Sequence, residues 1–186
     1  MANNDFWTSA NVEPKRKYRF LVQFSGAALG QLWFAKTVKK PEISVTNIEH
    51  SFLNHKFYFP GTVEWASVTI DLVDPVSPDA AGEMAQILSH SGYPATGPRQ
   101  LNPDQPDPPQ TMSKLKATSA LGQVRISQIN SNGKIVEEWT LNNAFIVKVA
   151  YGELAYGDDE LSVISLEIRY DWATLDDATG RTFWPA

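Results

Sequence analysis

Residues 164–172 read ISLEIRYDW and alternate between apolar and polar side chains without interruption. Successive side chains of a β-strand point to opposite faces, so this period of two predicts a strand with one face in a core. The other face carries Glu167, Arg169 and Asp171, and it can meet bulk water, a ligand, a second copy of the chain or a channel. The predicted core face comprises Ile164, Leu166, Ile168, Tyr170 and Trp172.

Other segments show the same period. Residues 18–24 predict a strand, and residues 31–40 are predicted to return beside it as the second strand of a hairpin. In residues 63–75 the apolar phase changes near Ala66 and Ser67, which indicates a β-bulge. The Asn-Gly turn at 130–133 lies between two alternating segments and predicts a further hairpin. A last strand is predicted with one face made by Phe145, Val147, Val149 and Tyr151.

One helix is predicted, at residues 77–91. Ser77 is suited to the N-cap, Pro78 to the first helical position, and Gly92 to the stop. The apolar stripe of this helix consists of Ala80, Met84, Ile87 and Leu88.

Residues 93–118 contain six prolines and almost nothing apolar, so they are predicted to be an extended loop whose deletion would cost the fold little. The expected organisation is an N-terminal arm at 1–15, one β domain at 16–172 and a polar C-terminal tail at 173–186. The order of the elements predicts a mainly β fold, an antiparallel β-sandwich or barrel with one flanking α-helix.

Composition excludes several classes of function. The chain has no cysteine, and its net charge of −5 argues against a nucleic-acid reader. His50, His55 and His90 lack the spacing of a metal site, and no nucleophile or phosphate-binding motif is present. We therefore predict no catalytic residue, no metal and no cofactor. With neither a secretory signal nor a membrane-spanning stretch, the chain is expected to be soluble and made in the cytoplasm.

Aromatic residues also lie in the terminal segments, at Phe6, Trp7 and Trp184. These side chains can be buried by anchoring onto a partner subunit or by folding back onto their own domain, and the sequence leaves both open.

Three segments together resemble the tail-tube proteins of contractile-tailed bacteriophages. They are YRFLVQFSG followed by FAKTVKKPEISV; FLNHKFYFPGTVEWASVTIDLVDP followed at once by the helix; and LNNAFIVKVAYGELAYGDDELSVISLEIRYDW. The resemblance covers residues 18–172. It extends to the baseplate protein that initiates such a tube and to the related type VI secretion tube proteins.

The resemblance implies a subunit that shares its sheets with neighbours in a hexameric ring. Rings would stack into a tube inside a contractile sheath, with the baseplate and tail-terminator proteins as further partners, and DNA would pass through the lumen without specific binding. The protein would be assembled in the host cytoplasm and reside in the virion. In this family the loop that corresponds to residues 44–61 reaches the next ring. The residues expected at that contact are Ile48, Phe52, Asn54, Phe57 and Phe59.

Under this resemblance, the polar face with Glu167 and Asp171 could line the lumen and repel DNA, although Arg169 lies between them. Contact of that face with bulk solvent or the sheath stays open. Two other classes of function also stay open. One is a monomeric β-sandwich module that binds carbohydrate on an exposed Trp or Tyr. The other is a small hydrolase with a pair of strand carboxylates of perturbed pKa.

Overall fold

A computed structural model describes residues 13–26, 35–93, 111–157 and 159–184. The predicted arm anchors Phe6 and Trp7 lie outside these ranges. Within them the chain forms strands β1 to β11 and helices α1 and α2. In chain order these are β1 Phe20–Phe24, β2 Ala35–Val38, β3 Ile43–Phe52, β4 His55–Trp65, β5 Val68–Val73, α1 Ala80–His90, α2 Lys114–Leu121, β6 Val124–Ile129, β7 Ile135–Asn142, β8 Phe145–Ala150, β9 Val163–Arg169, β10 Trp172–Asp177 and β11 Thr182–Phe183.

The predicted antiparallel β architecture is confirmed. A five-stranded sheet has the order β1-β6-β7-β10-β11, a four-stranded sheet the order β2-β5-β9-β8, and β3 pairs with β4. One core cluster joins the inner faces of the two larger sheets. Its centre is the β5–β9 pair, in which Val68 lies opposite Ile168 and Leu72 opposite Ile164, all fully buried. Such cross-strand apolar pairs stabilise the ladder and close the core from one side.

The period-two prediction for 164–172 is confirmed as far as Tyr170. Ile164, Leu166, Ile168 and Tyr170 are buried. The strand then ends, and Trp172 begins β10 in the other sheet, so it does not continue the same face. Residues 173–177 belong to β10 and pair with β7, while β11 pairs with β10. The segment expected to be a polar tail is thus largely part of the five-stranded sheet.

The predicted helix exists, but it begins later. Its N-cap is Asp79, whose carboxylate accepts the Gly82 N–H at 3.0 Å, and Ser77 and Pro78 precede the helix. The stripe is confirmed, because Ala80, Met84 and Ile87 are buried and Leu88 packs against the core. A second helix, α2, was not predicted. It begins inside the segment 93–118, and its buried residue Ala117 means that deleting that whole segment would remove core contacts.

Strand pairing differs from the sequence prediction in three places. β1 pairs with β6 and β2 with β5, so they do not form a hairpin with each other. Ala66 and Ser67 separate two strands instead of forming a bulge in one. In β8 the register shifts between Ile146 and Lys148; Ile146 is buried and Val147 exposed, against the prediction, whereas Val149 packs against the core as predicted.

Candidate functional site

The feature most unlike an ordinary core element is the ribbon formed by β3 and β4, which we call the hairpin. Among the described strands these two pair with each other alone. Every residue of β3 is exposed, and so is every residue of β4 except Trp65. A ribbon with both faces open does not fold back over the domain, so the hairpin stands away from it. The sequence predicted short strands around a loop here, and the structure has paired strands up to a turn at Leu53 and Asn54.

The register of the hairpin brings four of the predicted contact residues to one face. Residues opposite each other in an antiparallel pair project to the same side. Ile48 lies opposite Phe59, His50 opposite Phe57, and Phe52 opposite His55. The rings of His55 and Phe57 meet edge to face with centroids 4.7 Å apart. Ile48 and Phe52 are each 62% exposed, so this face offers an apolar surface that the subunit itself does not cover.

The opposite face of the distal hairpin is largely polar. Lys56 Nζ and Glu49 Oε1 form an ion pair at 2.8 Å, and Ser51 lies opposite Lys56. At the tip, Leu53 has a positive φ of 52° and a highly exposed side chain, next to the predicted contact residue Asn54. The hairpin is therefore amphipathic although neither face is buried.

A bulge in mid-hairpin explains why the sequence shows no steady period there. The register shifts between Val45 and Asn47. The Thr46 hydroxyl accepts the Thr62 N–H at 2.8 Å, and a Cβ on Gly61 would lie 2.4 Å from Thr46 Oγ1. A larger residue at 61 would therefore force the Thr46 side chain to shift. Beyond the bulge the apolar side chains of β3 occupy even positions, whereas Ile43 and Val45 occupy odd ones.

The base of the hairpin is fixed to both larger sheets through aromatic rings. Trp65 contacts Tyr170 at 5.9 Å and meets Trp184 edge to face at 6.1 Å, measured between ring centroids. Trp184 in turn stacks on Trp139 of β7. Arg169 donates to Glu64 at 3.1 Å. The ring of the predicted anchor Trp184 thus contacts its own chain but is still 51% exposed, and its role toward a partner subunit stays a prediction.

A partly buried carboxylate ties three chain segments together near the same base. Glu137 of β7 is 12% exposed and binds Lys15, which precedes β1, and Lys40, which precedes β3, the latter at 2.5 Å. Trp139 Nε1 donates to it at 2.7 Å. Burial by itself raises the pKa of Glu137, but the hydrogen bonds from Lys15, Lys40 and Trp139 together lower this pKa to about 2.

A second apolar surface was not predicted from the sequence. Between β8 and β9, Leu154, Tyr156 and Leu161 are strongly exposed. Nearby, Val76 is also fully exposed, two residues after Asp74, whose N–H donates to the Ser162 carbonyl at 3.0 Å. We call Val76 together with residues 151–161 the loop end. The signal in the sequence was the presence of apolar residues inside an acidic turn.

The outer face of the four-stranded sheet carries charges of both signs. Asp71 accepts from Ser165 and Glu167 from Ser67, each at 2.7 Å, while Lys148 lies opposite Glu167 in the register. Asp171 does not share this face, because it lies beyond β9. It accepts from Lys114 at 2.6 Å and from Asn143 at 2.7 Å, and these hydrogen bonds lower its pKa. The predicted acidic pair Glu167 and Asp171 is therefore not one patch.

The described residues contain no cluster of three or more His, Cys, Asp or Glu side chains that could hold a metal ion. Within the same ranges, no helix is long and apolar enough to cross a membrane. The ring of Trp139 is stacked on Trp184, and Trp65 packs against Trp184 and Tyr170, so both rings have aromatic partners within the subunit.

Comparison with solved structures identifies chains of the same fold in contractile injection systems. A chain of the anti-feeding prophage tube-terminating cap superposes with a TM-score of 0.64 at 17% identity, covering 96% of this chain and 100% of that one. A chain of the six-fold symmetrised anti-feeding prophage baseplate gives 0.63 at 16% identity, covering 88% and 95%. A chain of the extended PVC sheath–tube complex gives 0.58 at 16% identity, covering 96% and 99%.

An Hcp protein also matches, with a TM-score of 0.51 at 10% identity over 89% of this chain and 97% of that one. No protein-family profile and no curated protein matches the sequence. At these identities the superpositions establish the fold, which the chain shares nearly end to end with these structures. The fold expected from the sequence resemblance to tube proteins is thereby confirmed.

Proposed function

We propose that this protein is a non-enzymatic structural subunit of the tube of a contractile injection system, built from stacked hexameric rings. The observation that carries the proposal is the exposed apolar face of the hairpin on a fold shared with cap, baseplate and sheath–tube chains. Large exposed apolar patches on a soluble domain mark contact sites for other proteins. Here the natural partner is another copy of the chain.

Contact between rings is assigned to the distal hairpin. Its apolar face contains Ile48, Phe52, Phe57 and Phe59, and Asn54 lies at the turn. The strand length supports this assignment, because the ten residues of β3 span about 30 Å at roughly 3.4 Å per residue. That reach is comparable to the diameter of a small domain, so the hairpin can extend well into a neighbouring ring.

Contact within a ring is assigned to the edges of the four-stranded sheet. In the described part of the chain β2 and β8 are its outer strands, and each leaves one side of its backbone unpaired. Unpaired edges template the addition of another strand, and a closed ring of sheets removes them. The six-fold symmetry applied to the anti-feeding prophage baseplate supports a ring of six.

Further partners follow from the same role: a surrounding sheath, a baseplate and a terminator, with DNA as the cargo of a phage particle. The mixed charge of the outer sheet face, with Asp71 and Glu167 beside Lys148 and Arg169, adds no support for an acidic lumen wall. DNA as the cargo therefore rests on the sequence resemblance. The particle itself, assembled in the host cytoplasm, is the proposed location of the protein.

Negative-stain electron microscopy of the purified protein over a concentration series tests the proposal. Six-fold rings that stack into hollow tubes are expected. Tubes of many rings would identify the repeating subunit, whereas single or paired rings would identify a tube initiator or cap of the same fold. A monodisperse monomer at every concentration, also after addition of preformed tube ends, would overturn the proposal and favour the monomeric binding module.

A further inference from the structure

The hairpin and the loop end lie at opposite ends of the four-stranded sheet. Both connections to the hairpin leave the sheet where Val68 pairs with Ile168, since β4 is joined to β5 by Ala66 and Ser67 alone. The 151–161 segment leads into β9 at the other end, where Val73 pairs with Val163. Five residues of strand separate the two ends, or about 17 Å at roughly 3.4 Å per residue.

Each end exposes apolar side chains that its own subunit leaves uncovered. At one end these are the residues of the hairpin face, and at the other they are Val76, Leu154, Tyr156 and Leu161. Two apolar surfaces at opposite ends of one sheet cannot cover each other within a subunit. They can do so only between copies, and the resulting contact is head to tail.

Polar groups distinguish the two surfaces. On the distal hairpin Lys56 is paired with Glu49 on the polar face, so these charges cancel, and the apolar face adds the imidazoles of His50 and His55. Residues 151–161 carry Glu153, Asp158, Asp159 and Glu160 and no basic residue. Two loop ends brought together would place carboxylates opposite each other. The acidic loop end is therefore better matched by the hairpin, whose imidazoles can donate hydrogen bonds to carboxylates, than by a second loop end.

We infer that the loop end is the receiving surface for the hairpin of the next copy. The hairpin face of one subunit docks on Leu154, Tyr156 and Leu161 of a subunit in the adjacent ring, with Val76 at the margin. A heterologous contact that does not close on itself generates an open filament, so the same pair of surfaces repeats along the tube. This inference rests on the proposed function, and it identifies the surface that the hairpin contacts in the adjacent ring.

Cysteine cross-linking tests the inference directly, because the chain has no cysteine of its own. Two single variants, Phe52→Cys and Tyr156→Cys, are mixed, assembled and oxidised, and the products are resolved on a denaturing gel. The mixture is expected to give a covalent dimer that neither variant gives alone. The double variant is expected to give a ladder of oligomers. Leu115→Cys, on the exposed outer side of α2, replaces Tyr156→Cys in the control mixture and is expected to give no dimer.

Each outcome has a definite meaning when the samples are also imaged. Tubes without the mixed cross-link would overturn the inferred docking and leave the proposed function standing. Dimers of Phe52→Cys with itself would also overturn it, since they indicate a symmetric hairpin contact. The mixed cross-link without rings or tubes would support head-to-tail docking and contradict the tube function. Neither cross-link nor assembly would overturn both.

Discussion

The indole ring of Trp184 stacks on that of Trp139, with ring centroids 6.1 Å apart and planes inclined by 21°. The same Trp184 ring meets Trp65 at the base of the hairpin edge to face. One residue near the C-terminus therefore bridges the five-stranded sheet and the strand that leads into the hairpin. By packing on Trp65, Trp184 helps to hold the base of the hairpin in its orientation relative to the domain.

Replacing Trp184 by alanine should loosen that bridge. Each aromatic pair contributes roughly 0.5–1.5 kcal/mol beyond its buried area, and Trp184 is half exposed, so we expect a loss of about 1–2 kcal/mol. Urea unfolding measures the loss, and near-ultraviolet circular dichroism should show the altered tryptophan packing. Trp184→Phe, which keeps a stacking ring, is the control. Equal stability of the alanine variant and the parent would show that the stack contributes nothing.

Glu137 should make the fold sensitive to acid. Its pKa is about 2 in the folded chain against an ordinary 4.5, so its stabilising effect is complete above about pH 4.5 and is lost as the pH falls toward 2. At about 1.4 kcal/mol per pKa unit the effect is at most about 3.5 kcal/mol, and solvent screening of the two half-exposed lysines lowers it. The free energy of unfolding of Glu137→Gln should be lower at neutral pH and flatter across this acid range.

The matched control for Glu137 is Glu64→Gln. Glu64 also pairs with a cation, Arg169, but its side chain is 64% exposed. Exposed pairs are worth about 0–1 kcal/mol, so this variant should keep the stability and the acid profile of the parent. An unchanged acid profile in Glu137→Gln would show that other carboxylates govern acid unfolding.

Helix α2 offers a paired test of its contribution to the core. Leu121 is fully buried and Leu115 is 77% exposed in the same helix. Leu121→Ala should lower the free energy of unfolding by about 2–4 kcal/mol, because it removes buried methyl groups and leaves a cavity. Leu115→Ala should change it by less than about 0.5 kcal/mol. Thermal and urea unfolding of both variants give the comparison, and equal losses would contradict the observed packing of α2.

The sequence best predicted the features that depend on residues close together in the chain, such as which face of a strand or helix is buried. The alternation in β5 and β9 gave the buried faces correctly, and the stripe Ala80, Met84 and Ile87 gave the buried side of α1. Strand partners could not be obtained this way. β1 pairs with β6, about 100 residues away, and nothing in either strand excluded the nearer β2. Which strands pair depends on how all the elements pack into one core, and a local sequence pattern does not contain that information.

Two elements were missed because their sequence signals are weak. Helix α2 follows a proline-rich stretch and has a faint apolar stripe; its clearest marks are the caps, with Ser113 accepting the Lys116 N–H and Gly122 at a φ of +70°. The hairpin has no buried face to impose a period, and its bulge at Thr46 shifts the phase midway. Its exposed apolar residues were nevertheless singled out, because apolar side chains in excess of what a loop needs indicate an interface even when the local structure is misread, and their role in a contact stays a prediction.

A charge on the apolar face of the hairpin should block stacking without harming the subunit. Phe52 and Phe57 are exposed in the single chain, so Phe52→Asp or Phe57→Asp should leave the melting temperature within about 2 °C of the parent. In a stacked tube the new carboxylate would be buried without a partner, which costs several kcal/mol. Microscopy should therefore show isolated rings and no tubes. Ser51→Asp is the matched control, because Ser51 lies on the opposite, polar face beside Lys56 and should still permit tubes. Tubes of normal length from Phe52→Asp would remove this face from the contact between rings.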